Sequence, residues 1–163
     1  MSANENGSPE LTVVEGGSEA RDFVTMTIHN QLFGIPVLAV RDVLGPQKIT
    51  RIPLASPEVA GALNLRGRIV TAINLRKRLG LPSAEQGAKS MSVVVDFHGE
   101  LYSLIIDSVG EVLSLPANSF ERNPATLDPA WREISTGVYR LKDQLLIVLD
   151  VNRLLDFNRV KAA

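Results

Sequence analysis

The chain has 163 residues, of which 45% are hydrophobic and 21% charged, and its formal net charge is -1. This size and composition are typical of one ordinary soluble domain, or of two small subdomains that share a core. The near-neutral charge provides no long-range attraction to nucleic acid or to an anionic membrane. Because the chain has no cysteine, disulfides and cysteine-ligated metal are excluded. No apolar run approaches the roughly 18 residues of a membrane span, so we expect no direct membrane insertion.

Both ends of the sequence differ from its middle. Residues 1–21 are rich in Asn, Glu, Gly and Ser and lack the basic-then-apolar arrangement of a signal peptide. We therefore expect a disordered N-terminal tail over residues 1–21, an ordered domain over residues 22–157 and a short C-terminal tail over residues 158–163.

The first elements of the ordered part are short and punctuated by turn residues. Residues 23–28 alternate between apolar and polar side chains, which predicts a strand, and residues 32–35 predict a second. Pro36 ends the second strand because it cannot donate a ladder hydrogen bond. The apolar residues that follow fall at helical spacing, so the sequence predicts a short amphipathic helix over residues 37–44, closed by Gly45.

Residues 61–75 form the clearest local pattern, two apolar arms that meet at Arg66-Gly67. Gly67 can adopt the positive φ that a tight hairpin turn requires. The pattern therefore predicts a β-hairpin with Arg66 at its tip, where a long cation could be a recognition point or a solvated side chain. Asn74 follows as the predicted cap of a brief helix over residues 75–79.

The sequence contains a twofold internal repeat. Residues 32–44 align with residues 101–113, and residues 61–75 align with residues 137–151. The second copy has a longer middle loop, which holds three prolines and the only tryptophan. Such a repeat predicts two similar β-rich units of about five strands each, with one short helix in each.

The two units are expected to divide the domain near its midpoint, into residues 22–87 and residues 88–157. Five short strands hide their edges best by closing into a small barrel. We therefore predict a mainly β fold of two barrels packed side by side, with a groove between them.

Residues with catalytic potential are scattered. His29 and His98 fall at predicted turn tips, and neither has an Asp or Glu at metal-ligand spacing. The carboxylates Asp42, Asp107 and Glu111 fall on segments predicted to be short helices or turns, where caps and solvated charges are common. The sequence therefore predicts a protein that is not an enzyme and needs no metal or cofactor, and a β module of this kind most often binds other proteins.

The one local charge asymmetry is a basic run made up of Arg66, Arg68, Arg76, Lys77 and Arg78. Small barrels that bind single-stranded nucleic acid interleave such residues with surface aromatics. Only 5% of this chain is aromatic, which favours a solvated face or a protein-binding rim. A double-barrel nucleic-acid-binding module stays open as the alternative, distinguishable by salt-sensitive binding to single strands.

The hairpin motif resembles the signature of a known family. The pattern Gly61-x-x-Asn64-Leu65-Arg66-Gly67, followed by Ile69-Val70 and Leu75-Arg76, is similar to that of the CheW family of chemotaxis coupling proteins. Two flanking motifs are also similar to those of the family, around residues 35–44 and 107–113. The resemblance covers about residues 22–157.

The resemblance implies a fold of two five-stranded SH3-like barrels and a cytoplasmic adaptor at membrane-associated receptor arrays. Such a protein couples methyl-accepting chemoreceptors to the histidine kinase CheA. It implies that the receptor's hairpin tip binds in the groove between the barrels and that the kinase regulatory domain binds at the barrel ends. The residues that the resemblance places in the receptor-binding region are Arg66, Val40, Gly61, Asn64 and Leu65.

Overall fold

The computed structural model describes residues 19–156, and this part of the chain is mainly β. The strands are β1 Ala20–Ile28, β2 Gln31–Pro36, β3 Val40–Leu44, β4 Val59–Leu65, β5 Arg68–Asn74, β6 Met91–Phe97, β7 Glu100–Ile106, β8 Ser108–Pro116, β9 Ser135–Arg140 and β10 Leu145–Leu149. The helices are α1 Leu75–Arg78, α2 Pro129–Arg132 and α3 Val151–Leu154, with 3₁₀ turns at Val37–Ala39 and Ala117–Ser119. Each sequence half supplies five strands, as the repeat predicts.

The strands form two five-stranded sheets, which fit two SH3-like subdomains. The order is β8-β1-β2-β10-β9 in the first sheet and β3-β6-β7-β5-β4 in the second. Each sheet therefore combines two strands of one sequence half with three strands of the other. The predicted assignment of residues 22–87 to one barrel and residues 88–157 to the other is wrong, because similarity between two copies does not determine which strands pair.

The two halves exchange strands reciprocally. β3 pairs with β6 of the second half, and β8 pairs with β1 of the first, both antiparallel. The parallel pairs match in the same way, with β5 beside β7 and β10 beside β2. Neither half can complete its own sheet, so the hydrogen bonds of the fold depend on both halves together.

The helix predicted over residues 37–44 is wrong. The helical part is limited to one 3₁₀ turn over Val37–Ala39, and β3 begins at Val40. The helical spacing depended on a few valines, and β-branched residues favour a strand when a partner is available. β6 provides that partner, since Val40 lies opposite Val95 and Asp42 opposite Val94.

Each sheet curls until its outer strands approach each other. Thr50, which follows β3, exchanges two backbone hydrogen bonds of 2.8 Å with Ala62 on β4. Glu121, which follows β8, exchanges two of 2.9 Å with Val138 on β9. These matching bridges, called the closing bridges below, connect the chain beyond one edge strand to the edge strand on the other side, and so bring the two edges of each sheet toward each other.

One large hydrophobic core is shared by the two sheets. It joins Met26 and Phe33 of the first sheet to Ile73 and Leu104 of the second, all fully buried. The long loop of the second half contributes Trp131 to this core. The centroids of the Trp131 and Phe33 rings are 5.4 Å apart, and Nε1 of Trp131 donates a hydrogen bond of 2.7 Å to the carbonyl of Leu79. The barrels are therefore packed against each other through a continuous apolar interior.

The expected tails lie largely outside the described residues. Residues 1–18 and 157–163 are not described, so the expectation of disorder there is untested. Ala20 and Arg21, which we assigned to the tail, belong to β1 and pair with β8. Within residues 19–156, none of the helices has the length and hydropathy needed to cross a bilayer.

Candidate functional site

The predicted hairpin is present as β4 and β5, with Arg66 and Gly67 as its two turn residues. Both have positive φ, 52° and 85°, as the tightest hairpin turns require. The Asn64 side chain stabilises the turn, since its Oδ1 accepts a hydrogen bond of 3.0 Å from the Gly67 N–H. Asn64 therefore shapes the tip that presents Arg66.

The guanidinium of Arg66 is exposed and forms an ion pair. Its Nη1 lies 2.9 Å from Oδ2 of Asp42 on β3, and the two side chains are 74% and 26% exposed. The sequence predicts a short helix or turn around Asp42, with its carboxylate as a cap or a solvated charge. The pairing was not evident because β3 and β4 are opposite edges of the second sheet, and only the curl of that sheet brings them together.

The same hairpin carries an exposed apolar side chain close to its turn. Ile69 is opposite Asn64 across the hairpin and is 72% exposed. Asp42, Asn64, Arg66 and Ile69 together are called the hairpin-tip surface below. It offers a cation and an apolar group on one hairpin end, an arrangement suited to contact with another protein.

Two of the predicted site residues, Gly61 and Leu65, lie in the packed part of the hairpin. Gly61 is buried in β4, and a Cβ atom there would overlap the carbonyl oxygen of Thr50 in the closing bridge. Gly137 holds the corresponding position on β9, where a Cβ would overlap the Phe120 ring. Leu65 is partly buried against the small core beneath the hairpin. In this structure Gly61 is thus required for the close approach of Thr50, and Leu65 contributes to packing beneath the hairpin.

Val40 lies near a groove between the sheets. A cavity of about 320 Å³ there is lined by residues of both sheets and of α3. They are Pro36, Ala39, Asp96, Thr136, Val148, Leu149, Asp150, Val151 and Asn152. Val40 follows Ala39 in the chain, is partly buried, and packs against the shared core. Because Asp42 lies two residues further along β3, this strand connects the groove to the hairpin-tip surface.

The basic run does not form one continuous exposed face. Arg76 donates to both carboxylate oxygens of Asp107, at 3.0 and 2.7 Å, and to the carbonyl of Pro82 at 2.8 Å. Arg78 donates to the carbonyl of Leu154 at 2.8 Å, which connects α1 to α3. Two of the five cations therefore hold the fold together, which weakens the nucleic-acid alternative.

Asp107 lies at the centre of a polar cluster near α1. Its Oδ2 also accepts from the backbone N–H of His29 at 2.8 Å. Partial burial raises the pKa of the Asp107 carboxyl. The hydrogen bonds from Arg76 and from the His29 N–H lower this pKa by more than burial raises it, so the net shift is downward. The hydrogen bonds between Arg76 and Asp107 also raise the pKa of the Arg76 guanidinium. The cluster joins the β1–β2 turn to α1 and to the start of β8.

The histidines lie at turn tips as predicted. His29 and His98 open two-residue turns with φ of 51° and 54°. Across residues 19–156, no three His, Asp or Glu side chains gather in a way that could hold a metal ion.

Comparison with known proteins gives a consistent result. Residues 22–158 match the family model described as the CheW-like domain. The chemotaxis protein CheW of Klebsiella aerogenes is 28% identical over 149 residues, which are 91% of this chain and 90% of the relative. The chemotaxis protein CheW of Treponema pallidum is 30% identical over 140 residues, or 83% of this chain and 82% of the relative.

A solved structure agrees at the level of the fold. The crystal structure of the scaffolding protein TtCheW from Thermoanaerobacter tengcongensis matches with a TM-score of 0.75 and 28% identity. The match covers 84% of this chain and 93% of that one. The family similarity and the fold similarity therefore extend over nearly the same, large part of the chain.

Proposed function

This chain belongs to the CheW-like family of chemotaxis coupling adaptors, and we propose that it joins methyl-accepting chemoreceptors to the histidine kinase CheA. The observation that carries the proposal is the family match over residues 22–158, which includes both sheets. An adaptor of this kind works by holding two partners at once, so the relevant chemistry is recognition between protein surfaces.

The hairpin-tip surface supports a role in receptor binding. Arg66 is 74% exposed and its guanidinium is directed by Asp42, so part of the side-chain ordering that binding requires is already present. The receptor tip would lay a helical hairpin into the groove beside Val40 through apolar contacts, with Arg66 setting its register by hydrogen bonds. Gly61 and Leu65 would support this surface from beneath, and Asn64 would hold the turn.

The second partner would bind elsewhere on the molecule. We propose that the kinase regulatory domain contacts the ends of the barrels, so that receptor and kinase can bind simultaneously. The adaptor would then act in the cytoplasm, at membrane-associated receptor arrays.

A three-component binding experiment tests the proposal. The purified protein is immobilised and exposed to the cognate receptor cytoplasmic fragment, to a CheA-type kinase, and to both together. The proposal predicts binding of each and a ternary complex in which both are retained. Binding of neither by the folded protein would overturn it, and salt-sensitive binding of single-stranded nucleic acid would then support the alternative.

A further inference from the structure

A second cavity lies at one end of the first sheet. Its volume is about 460 Å³, which is within the range of sites that bind small organic ligands. Its wall is mainly apolar and includes Phe23, Pro36, Leu38, Phe120 and Val148. Leu38 is 91% exposed here, so the cavity leaves apolar surface in contact with water. Burial of that surface would favour the entry of an apolar group.

One cation accompanies this apolar wall. Arg21 is the basic residue of the lining, and its guanidinium carbon lies 5.5 Å from the centroid of the Phe120 ring. Side chains alternate along a strand, so Arg21 and Phe23 project to one face of β1 and Asp22 to the other. Among the ion pairs within residues 19–156, none involves Arg21. Its guanidinium is therefore available to an anion at the cavity.

A buried phenol lies behind the aromatic part of the wall. The centroid of the Tyr139 ring is 5.5 Å from that of Phe23 and 5.4 Å from that of Phe120. Tyr139 is 2% exposed, and its Oη has no hydrogen-bond partner within residues 19–156. A buried donor without an acceptor is destabilising and uncommon in folded proteins.

The electrostatic surroundings of this phenol keep it a donor. Burial raises the pKa of Tyr139, and the charge of Arg21 opposes that shift without reversing it. The phenol therefore stays protonated at neutral pH and lies within electrostatic reach of the guanidinium. A cation and an unused O–H donor thus occur together at one apolar cavity.

We propose that this cavity binds a small aromatic carboxylate. The aromatic ring of the ligand packs against Phe23 and Leu38, since aromatic pairs gain from edge-to-face contact in addition to apolar burial. The carboxylate accepts two parallel hydrogen bonds from the Arg21 guanidinium. A shift of the Phe120 ring brings the carboxylate to the Tyr139 O–H, which then gains the acceptor that it lacks.

A titration with two matched probes tests the proposal. 3-Phenylpropanoate and the neutral 3-phenylpropanamide are each added to the isotope-labelled full chain, and amide chemical shifts are followed by NMR. The proposal predicts saturable shifts at residues 20–23 and 36–38. The acid should bind about tenfold more tightly than the amide, because hydrogen bonds to charged groups are the stronger ones.

Four variants separate the contributions to binding. Arg21→Gln should remove the preference for the acid and leave binding of the amide unchanged. Leu38→Ser should weaken both probes, and it should leave the fold intact because the side chain is exposed. Tyr139→Phe should weaken binding of the acid about threefold without lowering stability, since the lost hydroxyl has no partner in the free protein. Arg68→Gln is the matched control, since Arg68 is an exposed arginine on the second sheet.

Equal affinity of the natural chain for the acid and the amide would overturn the proposal. So would unchanged binding of the acid by Arg21→Gln, or shifts that do not saturate and spread over both sheets. Unchanged binding of the acid by Tyr139→Phe would overturn the role given to the phenol. The experiment uses the isolated protein, so its outcome is independent of receptor and kinase binding.

Discussion

Arg66 and Asp42 come from opposite edges of one five-stranded sheet, yet their side chains meet at 2.9 Å. The contact is possible because the sheet curls until the β4–β5 turn reaches β3. An exposed ion pair contributes little to stability. The pair directs the guanidinium toward Asp42, and we propose that this preferred direction matters at the hairpin tip.

This relationship predicts that Asp42 affects receptor binding through Arg66. Asp42→Asn should lower receptor affinity about threefold, because the Arg66 side chain must then be ordered on binding. In an Arg66→Ala background the same change should have almost no effect. A double-mutant cycle by calorimetric titration measures the coupling. Equal effects of Asp42→Asn in both backgrounds would mean that Asp42 acts independently of Arg66.

Gly61 is predicted to matter for folding and not for contact with a partner. Gly61→Ala should lower the free energy of unfolding by about 3 kcal/mol, because the new Cβ overlaps the Thr50 carbonyl and φ is +149°. Urea denaturation measures the change. Gly45→Ala is the control, since a Cβ there meets nothing within 4 Å and should have little effect. A folded Gly61→Ala protein of normal stability would refute the role assigned to the closing bridge.

Asp107 is predicted to make stability depend on acidic pH. Its pKa in the folded protein lies below its ordinary value of 3.8, so its stabilising effect is complete above that value and is lost as the pH falls through the folded-state pKa. Asp107→Asn should therefore cost about 2 kcal/mol at neutral pH and progressively less below about pH 4. Unfolding curves from pH 2 to 7 test this, with the exposed Asp143→Asn as control. A loss that stays constant across this range would rule out the charged contact as its cause.

The reciprocal strand exchange predicts that the two sequence halves cannot fold separately. Fragments cut between Ser83 and Ala84 each lack the partners of several strands, so each alone should be largely unfolded. Mixed in equal amounts, they should regain the β-sheet circular dichroism spectrum of the whole chain. A native-like spectrum from either fragment alone would contradict the pairing described for the two sheets.

Much of the fold follows from local sequence. The hairpin turn at Arg66-Gly67 and the cap at Asn74 were predictable because each depends on residues within a few positions. The repeat indicated two similar five-stranded units because the same local strand and turn patterns occur twice in the chain. Local patterns failed at residues 37–44, where a helical spacing of valines was outweighed by pairing with a distant strand.

The candidate site was only partly predictable. The motif indicated Arg66 and the turn that presents it, but not Asp42 as its partner, since their contact depends on how the sheet curls. Similarly, Arg76 and Arg78 looked like part of a basic surface until the fold placed Asp107 and the end of α3 beside them. Charge in the sequence does not show which cations are already bonded within the protein.

The most direct test of the proposed function is a calorimetric titration of the receptor cytoplasmic tip into three proteins: the natural chain, Arg66→Ala and Arg140→Ala. Arg140 is the matched control because it is also exposed, at 64%, and also ion-paired at 2.9 Å, with Glu121. Arg66→Ala should weaken binding about tenfold or more, as loss of an interface arginine commonly does. Arg140→Ala should bind like the natural chain. Unchanged affinity of a folded Arg66→Ala protein would contradict the assignment of the hairpin tip to the receptor.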